Sequence, residues 1–211
     1  MPGLRPTGMA LRTRFIDDEV LRALAAGVTQ VVLVGAGYDG RALRFHQPGV
    51  RWFEIDHPAT QPDKQRRVRG VTSDRDITFV PVDLLVDDVR SALAAAGHDA
   101  HRPSLFICEG LFTYLPNEVA KTLCARLHDL AAPHSVIVAS VLVVRRGRGG
   151  PAQAVVDSVL RVLGEQRLGI FHPGGADMLL EEAGWTVCRR ATSRDSRLGG
   201  SHLLVIAAER S

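Results

Sequence analysis

A run of four aliphatic residues, Val31-Val32-Leu33-Val34, ends abruptly at Gly35-Ala36-Gly37-Tyr38-Asp39-Gly40. No other junction constrains the chain as much. An uninterrupted apolar run this short suits a strand buried on both faces, as in a parallel sheet. The glycines let the backbone turn sharply at the strand's carboxyl end and approach a ligand closely. The same theme recurs along the chain. Residues 51–55, 77–80 and 104–108 read as further short strands and 135–144 as a long one. Helical patterns separate them at 59–69, 86–96 and 117–132, the last begun after Pro116. Ahead of the first strand, Phe15, Ile16, Val20, Leu21 and Leu24 form an apolar stripe over residues 13–26, stopped by Gly27. Residues 145–151 are the most loop-like stretch, 152–163 and 176–183 look helical, and 185–189 and 202–208 read as a closing strand pair.

Strands alternating with helices predict an α/β, doubly wound parallel sheet. In that architecture ligands sit beyond the carboxyl ends of the strands. With 211 residues, 45% hydrophobic and 23% charged, the chain suits one domain over 1–211. Residues 1–28 read as an N-terminal helix and cover, and 145–175 as a substrate loop with a short lid. No apolar run approaches the roughly 20 residues of a membrane helix, and the basic start lacks a signal-peptide pattern. Cys108, Cys124 and Cys188 are widely spaced and read as reduced, mostly buried thiols, not as a metal site. A cytoplasmic chain with no metal and no membrane partner is therefore expected. The clusters Arg66-Arg67-Val68-Arg69 and Arg145-Arg146-Gly147-Arg148, in a chain of net charge +3, read first as solvated charge and not as a nucleic-acid surface, although Arg145, Arg146 and Arg148 could attract an acidic substrate.

The strand ends carry the chemistry. The glycine turn spells G-x-G-x-x-G, which raises a dinucleotide site, but Asp39 at the start of the following helix would repel a pyrophosphate. After the second strand, Glu54 and Asp56 stand where acids accept hydrogen bonds from a ribose diol, the role their position favours; Asp56 could also cap a helix. After the third, Asp83 can accept from an adenine amine while the next N–H donates to a ring nitrogen, or it can cap a helix. Glu109 ends an apolar strand, where an unpaired carboxylate is costly. It needs a cation or donors, and the ammonium of a methionine moiety would serve. Tyr114 lies above the switch point, suited either to packing or to a ligand.

Taken together, these motifs resemble the leucine carboxyl methyltransferase family, including its bacterial branch with polyketide carboxyl methyltransferases. The residues that carry the resemblance are Arg12-Thr13-Arg14-Phe15-Ile16-Asp17, Val34-Gly35-Ala36-Gly37-Tyr38-Asp39 with Arg41, Phe53-Glu54-Ile55-Asp56-His57-Pro58, Val82-Asp83-Leu84, and Glu109-Gly110-Leu111 with Tyr114-Leu115. The match is good over residues 11–130 and only in outline beyond. It implies a Rossmann-like class I methyltransferase fold: a mainly parallel seven-stranded sheet whose one antiparallel strand holds residues 202–208. It implies S-adenosyl-L-methionine as cofactor and S-adenosyl-L-homocysteine as product. By the resemblance Arg14 binds the cofactor carboxylate, and Gly35, in the turn with Ala36, Gly37 and Asp39, contacts its amino-acid part. Asp56, with Glu54 beside it, holds the ribose; Asp83 and Leu84 hold the adenine; Glu109 contacts the ammonium; Tyr114 faces the methyl-transfer site. The chain departs from the family in having few residues before Arg12, a short insert at 151–173, and no lysine before Lys64 to help clamp the cofactor carboxylate. A homodimer could supply the missing wall.

The expected activity is O-methyl transfer to a small, acidic acceptor, a carboxylate, in bacterial secondary metabolism. A carboxylate is ionised at neutral pH and needs no base. A phenol acceptor would need one, and His172 in Ile170-Phe171-His172-Pro173-Gly174 is the candidate. Two other readings are a NAD-dependent oxidoreductase using the glycine turn, and a cofactor-binding protein without methyltransferase activity.

Overall fold

A computed structural model describes residues 8–71, 77–144, 171–193 and 202–210. Seven strands form one sheet: β1 (Gln30–Val34), β2 (Arg51–Asp56), β3 (Ile77–Pro81), β4 (Ser104–Cys108), β5 (Val136–Val143), β6 (Thr186–Ser193) and β7 (His202–Glu209). Their order is β3-β2-β1-β4-β5-β7-β6. The first five run parallel, and β7 is antiparallel to both β5 and β6. The expected seven-stranded sheet with its antiparallel strand at residues 202–208 is the one observed.

The apolar runs explain the centre of the sheet. Every residue of β1 and β4 is buried, and Val32 faces Phe53 on one side and Phe106 on the other. Alternation along the strands sends side chains to two separate cores. Val32, Val34, Phe53, Ile55, Phe106 and Cys108 point to one face, against α4 (Val89–Ala95), α5 (Asn117–Asp129) and α6 (Gly175–Glu182). Val31, Leu33, Trp52, Leu105 and Ile107 point to the other, against Ile16, Val20 and Ala23 of α1 (Gly8–Ala25). That second face also carries the short α2 (Arg41–Arg44) and α3 (Gln61–Val68).

Differences from the sequence reading have local causes. Helix α4 begins at Val89 and not at 86, because the Asp88 side chain accepts from the Arg90 N–H and caps it there. Strand β6 runs to Ser193, past the expected end at 189; as an edge strand it alternates exposed and part-buried residues. A bulge between Val187 and Arg189 shifts its register. There Cys188 is exposed, unlike the buried Cys108 and Cys124, which corrects the expectation for that thiol. Burial pushes the Cys108 thiol up to about 12. The loop expected at 145–151, the helix at 152–163 and most of the lid lie outside the described residues. Among the described residues no helix is long and apolar enough to cross a membrane, and no group of three or more His, Cys, Asp or Glu side chains could hold a metal ion.

Candidate functional site

At the carboxyl end of β1 the chain turns through Gly35 (φ 68°) and Gly37 (φ 47°). The Ala36 N–H donates to the Ile55 carbonyl at 2.9 Å, tying the turn to β2. A Cβ on Gly35 would lie 2.9 Å from Leu111 Cδ1, whereas one on Gly37 would meet nothing within 4 Å. Gly35 is therefore required by close approach as well as by backbone conformation, and Gly37 opens onto a cleft. The Gly37 N–H donates to the Asp56 carboxylate at the end of β2. Beneath the turn, the buried Lys64 of α3 donates to the Asp39 carbonyl at 2.7 Å and sits 2.6 Å from Glu54 Oε2. Burial pushes the Glu54 carboxyl above its ordinary range, against the pull of Lys64.

The cleft beside this turn holds about 400 Å³ and is lined by Arg12, Thr13, Gly35, Ala36, Gly37, Asp39, Arg41, Arg44 and Glu109, over a floor of Leu33, Val34 and Ile107. Its charged groups form one network. Arg41, only 3% exposed, reaches Asp17 at 2.7 Å through Nε and Asp39 at 2.5 Å through Nη1, and pairs with Glu109. Burial works against the Arg41 charge, but Asp39, Glu109 and Asp17 outweigh it and hold the pKa above the usual arginine range. Burial likewise works to raise the Asp17 carboxyl; hydrogen bonds from Arg44 and Arg41 outweigh it and hold the pKa low. Arg12 Nε lies 2.6 Å from the other Glu109 oxygen. Its buried N–H is not directed along that line, and no described residue accepts it in hydrogen-bonding geometry. The loop after Glu109 is fixed by Gly110, whose N–H donates to Ser140 Oγ of β5 at 2.8 Å.

Of the residues read from sequence as ligand contacts, Gly35, Ala36, Gly37, Asp39 and Glu109 line this cleft. Asp39 accepts from the Arg41 backbone N–H at 2.8 Å and so closes the first turn of α2. Asp56, Asp83 and Leu84 continue the row along the ends of β2 and β3, where the Val82 N–H donates to the Asp56 carbonyl. The second Asp56 oxygen accepts from the His57 N–H at 2.6 Å and from Thr60 Oγ1 at 3.1 Å. Asp83 accepts from the Leu85 N–H at 3.0 Å and stands 3.6 Å from His57 Nε2. Leu84 packs its half-buried side chain against the α4–α5 core.

The structure does not bring Arg14 and Glu54 to the cleft. The Arg14 side chain is 86% exposed, its nearest acid being Asp18 at 4.0 Å, and the arginine that faces the cleft is Arg12. Two residues along a helix turn a side chain through about 200°, so only one of the pair can face inward. The signal was available: Arg12 continues the buried stripe of Ile16 and Val20 at intervals of four, and Arg14 does not. Glu54 is consumed by Lys64. Tyr114 is 45% exposed on the loop after β4. His172 is exposed just beyond the end of β5, with Nδ1 3.1 Å from the Val144 carbonyl. Sequence reading gave no role to Asp17, Arg41 or Lys64, since nothing in local spacing connects residues so far apart. Arg145, Arg146 and Arg148 lie outside the described residues.

A family model described as leucine carboxyl methyltransferase matches residues 2–128. A Frankia alni protein, provisionally named an S-adenosyl-L-methionine-dependent methyltransferase, is 44% identical over 151 residues, covering 68% of this chain and 52% of that protein. A similarly named protein of Saccharopolyspora erythraea is 37% identical over 189 residues, covering 86% of this chain and 64% of its own length. Across these and similar curated relatives the matched region spans 42% to 64% of the relative's own length. Among solved structures, magnesium protoporphyrin IX methyltransferase from Synechocystis, with bound S-adenosylhomocysteine, superposes with a TM-score of 0.63 at 16% identity, covering 95% of this chain and 84% of that one. The fold is that of the class I methyltransferases, and the chain belongs to the leucine carboxyl methyltransferase family.

Proposed function

We propose that the chain binds S-adenosyl-L-methionine in this cleft and transfers its methyl group to an oxygen of a small acidic molecule, a carboxylate. The observation that carries the reading is the opposed pair Arg12 and Glu109 beside the Gly35–Gly37 turn, the charge complement of an amino-acid zwitterion. The part-exposed guanidinium of Arg12 fits a carboxylate, and the open space over Gly37 fits a ligand lying against the backbone. Arg12 takes the role first given to Arg14. Glu109 holds the ammonium, Asp56 the ribose, and Asp83 with Leu84 the adenine. Asp39, closing the start of the four-residue α2, speaks against a phosphate there and so against the NAD-dependent reading. When bound, the cofactor supplies a methyl carried on a positively charged sulfur. The protein's contribution is then alignment: the turn, the strand-end acids and Tyr114 orient the donor and the acceptor for in-line transfer. An ionised carboxylate needs no protein base. A role in bacterial secondary metabolism belongs to the same proposal and rests on the family alone.

One observation favours a second reading, phenol methylation. His172 Nδ1 lies 3.1 Å from the Val144 carbonyl, which can only accept; in the tautomer that donates there, Nε2 carries the lone pair a general base requires. Acceptor pools incubated with labelled cofactor and resolved by mass spectrometry identify the product. A pH–rate profile then decides between the readings. Turnover flat from about pH 6 to 8, with His172→Ala within about tenfold of wild type, fits a carboxylate; a steep rise with pH and a loss of roughly 100-fold fits a phenol.

A further inference from the structure

We infer that the Arg12–Glu109 ion pair is the free site's own stand-in for an amino-acid zwitterion, and that its exchange makes the site reject ligands carrying the ammonium without the carboxylate. The inference rests on the cofactor reading above and goes beyond it, to selectivity. Glu109 is held between two arginines of unequal freedom. Arg41 is almost completely buried and fixed by Asp17 and Asp39 as well as by Glu109. Arg12 is 19% exposed, and Glu109 is its one ion-pair partner among the described residues. Arg12 is therefore the half of the pair that can let go.

The network balances, with Asp17, Asp39 and Glu109 against Arg12, Arg41 and Arg44. A ligand with both charges preserves that balance. Arg12 releases Glu109 and takes a carboxylate, Glu109 accepts an ammonium in its place, and each keeps a partner. A ligand offering the ammonium alone displaces Arg12 and leaves its guanidinium unpaired in a part-buried cleft, which costs more than the exchange returns. A ligand with neither charge leaves the pair closed and forgoes only the extra contacts. Affinity thus does not rise stepwise with the number of charged groups; the ligand with the ammonium alone is the worst.

Calorimetry with three probes tests this: S-adenosyl-L-homocysteine, its decarboxylated amine 5′-(3-aminopropylthio)adenosine, and 5′-methylthioadenosine. The expected order is S-adenosyl-L-homocysteine tightest, by about 10- to 100-fold, then methylthioadenosine, then the amine. In Arg12→Gln, where the internal cation is gone, the amine should bind at least about tenfold more tightly than it does to wild type, while S-adenosyl-L-homocysteine binds more weakly. Thermal unfolding of the variant, followed optically, establishes that it is folded; should it not be, Arg12→Met, which keeps much of the side chain's length without its charge, gives the same comparison. An amine of intermediate affinity in wild type, alongside tight S-adenosyl-L-homocysteine, overturns the inference and leaves the cofactor reading standing. No binding of S-adenosyl-L-homocysteine to wild type overturns both.

Discussion

The two faces of the sheet are held by different forces. On the side of α4, α5 and α6, cohesion is apolar: Phe53, Phe106, Phe112, Leu127 and Trp185 are fully buried in one continuous cluster, and ion pairs such as Lys121–Glu182 lie out in solvent. On the side of α1, α2 and α3 the apolar cluster is smaller, and part-buried ion pairs supplement it. Glu19 of α1, 3% exposed, receives Nε and Nη2 of Arg189 on β6 at 2.9 Å each. Asp17 of the same helix receives Arg41 and Arg44, and Glu54 receives Lys64. Apolar packing is indifferent to which small charged molecule is nearby, whereas ion pairs can be exchanged. The cleft lies on the face whose contacts can answer to a charged ligand.

The largest expected effect tests the apolar side. Leu127→Ala should lower unfolding free energy by about 2–5 kcal/mol, read from denaturant midpoints, with little dependence on salt. Acid should then separate the faces. His98, 7% exposed among Phe53 and Phe106, has its pKa pushed down to about 4 by burial. The folded protein therefore resists protonating it. The stability it allows is full above about pH 6.5, falls as pH drops toward 4, and falls no further below that, for a loss of up to about 3 kcal/mol. The Asp17 contribution has the other window: it is full above the ordinary aspartate range near pH 4 and is lost only below it. Equilibrium unfolding from pH 7 to 4 should show the His98 loss, and His98→Gln should flatten it; an unchanged slope in that variant would remove His98 as the cause.

Next in size, Glu19→Gln should cost about 1–3 kcal/mol, since it strips the charge that Arg189 and Arg22 share. The smallest effect draws the sharpest contrast. Arg14→Ala should change stability by less than about 0.5 kcal/mol and leave S-adenosyl-L-homocysteine affinity unaltered, in contrast to any change at Arg12 two residues away. A large loss of affinity in Arg14→Ala would return the carboxylate role to that residue.

How much of this was legible in the sequence follows from the range of each interaction. The central strands were, because burial on both faces writes itself as an unbroken apolar run. The row of strand-end acids was, because a doubly wound sheet places those positions together whatever their distance along the chain. Helix α2 was not: four residues, Arg-Ala-Leu-Arg, are too few to show a period. The outer half of β6 was hidden by its edge position, where exposed Arg190 and Thr192 alternate with half-buried Ala191 and buried Ser193. Least legible was the Asp17–Arg41–Glu109 connection, which joins three separate segments. The cation expected for Glu109 proved to be present already in the chain, a possibility that a search for ligands along single strands does not raise.

The two tryptophans of the chain fall one on each face. Trp185 donates its indole N–H to the Cys124 carbonyl at 3.0 Å and meets His128 edge-on. Trp52 is equally buried on the α1 side, but its indole N–H has no acceptor among the described residues. An indole that donates in its ground state and one that does not differ in absorption and emission, so each face carries its own optical label. Trp185→Phe leaves a chain whose fluorescence reports only the ion-paired side, and Trp52→Phe one that reports only the apolar side. The molecule is thus a two-colour reporter of its own halves, on which loosening around α1 could be watched while the opposite core stays dark.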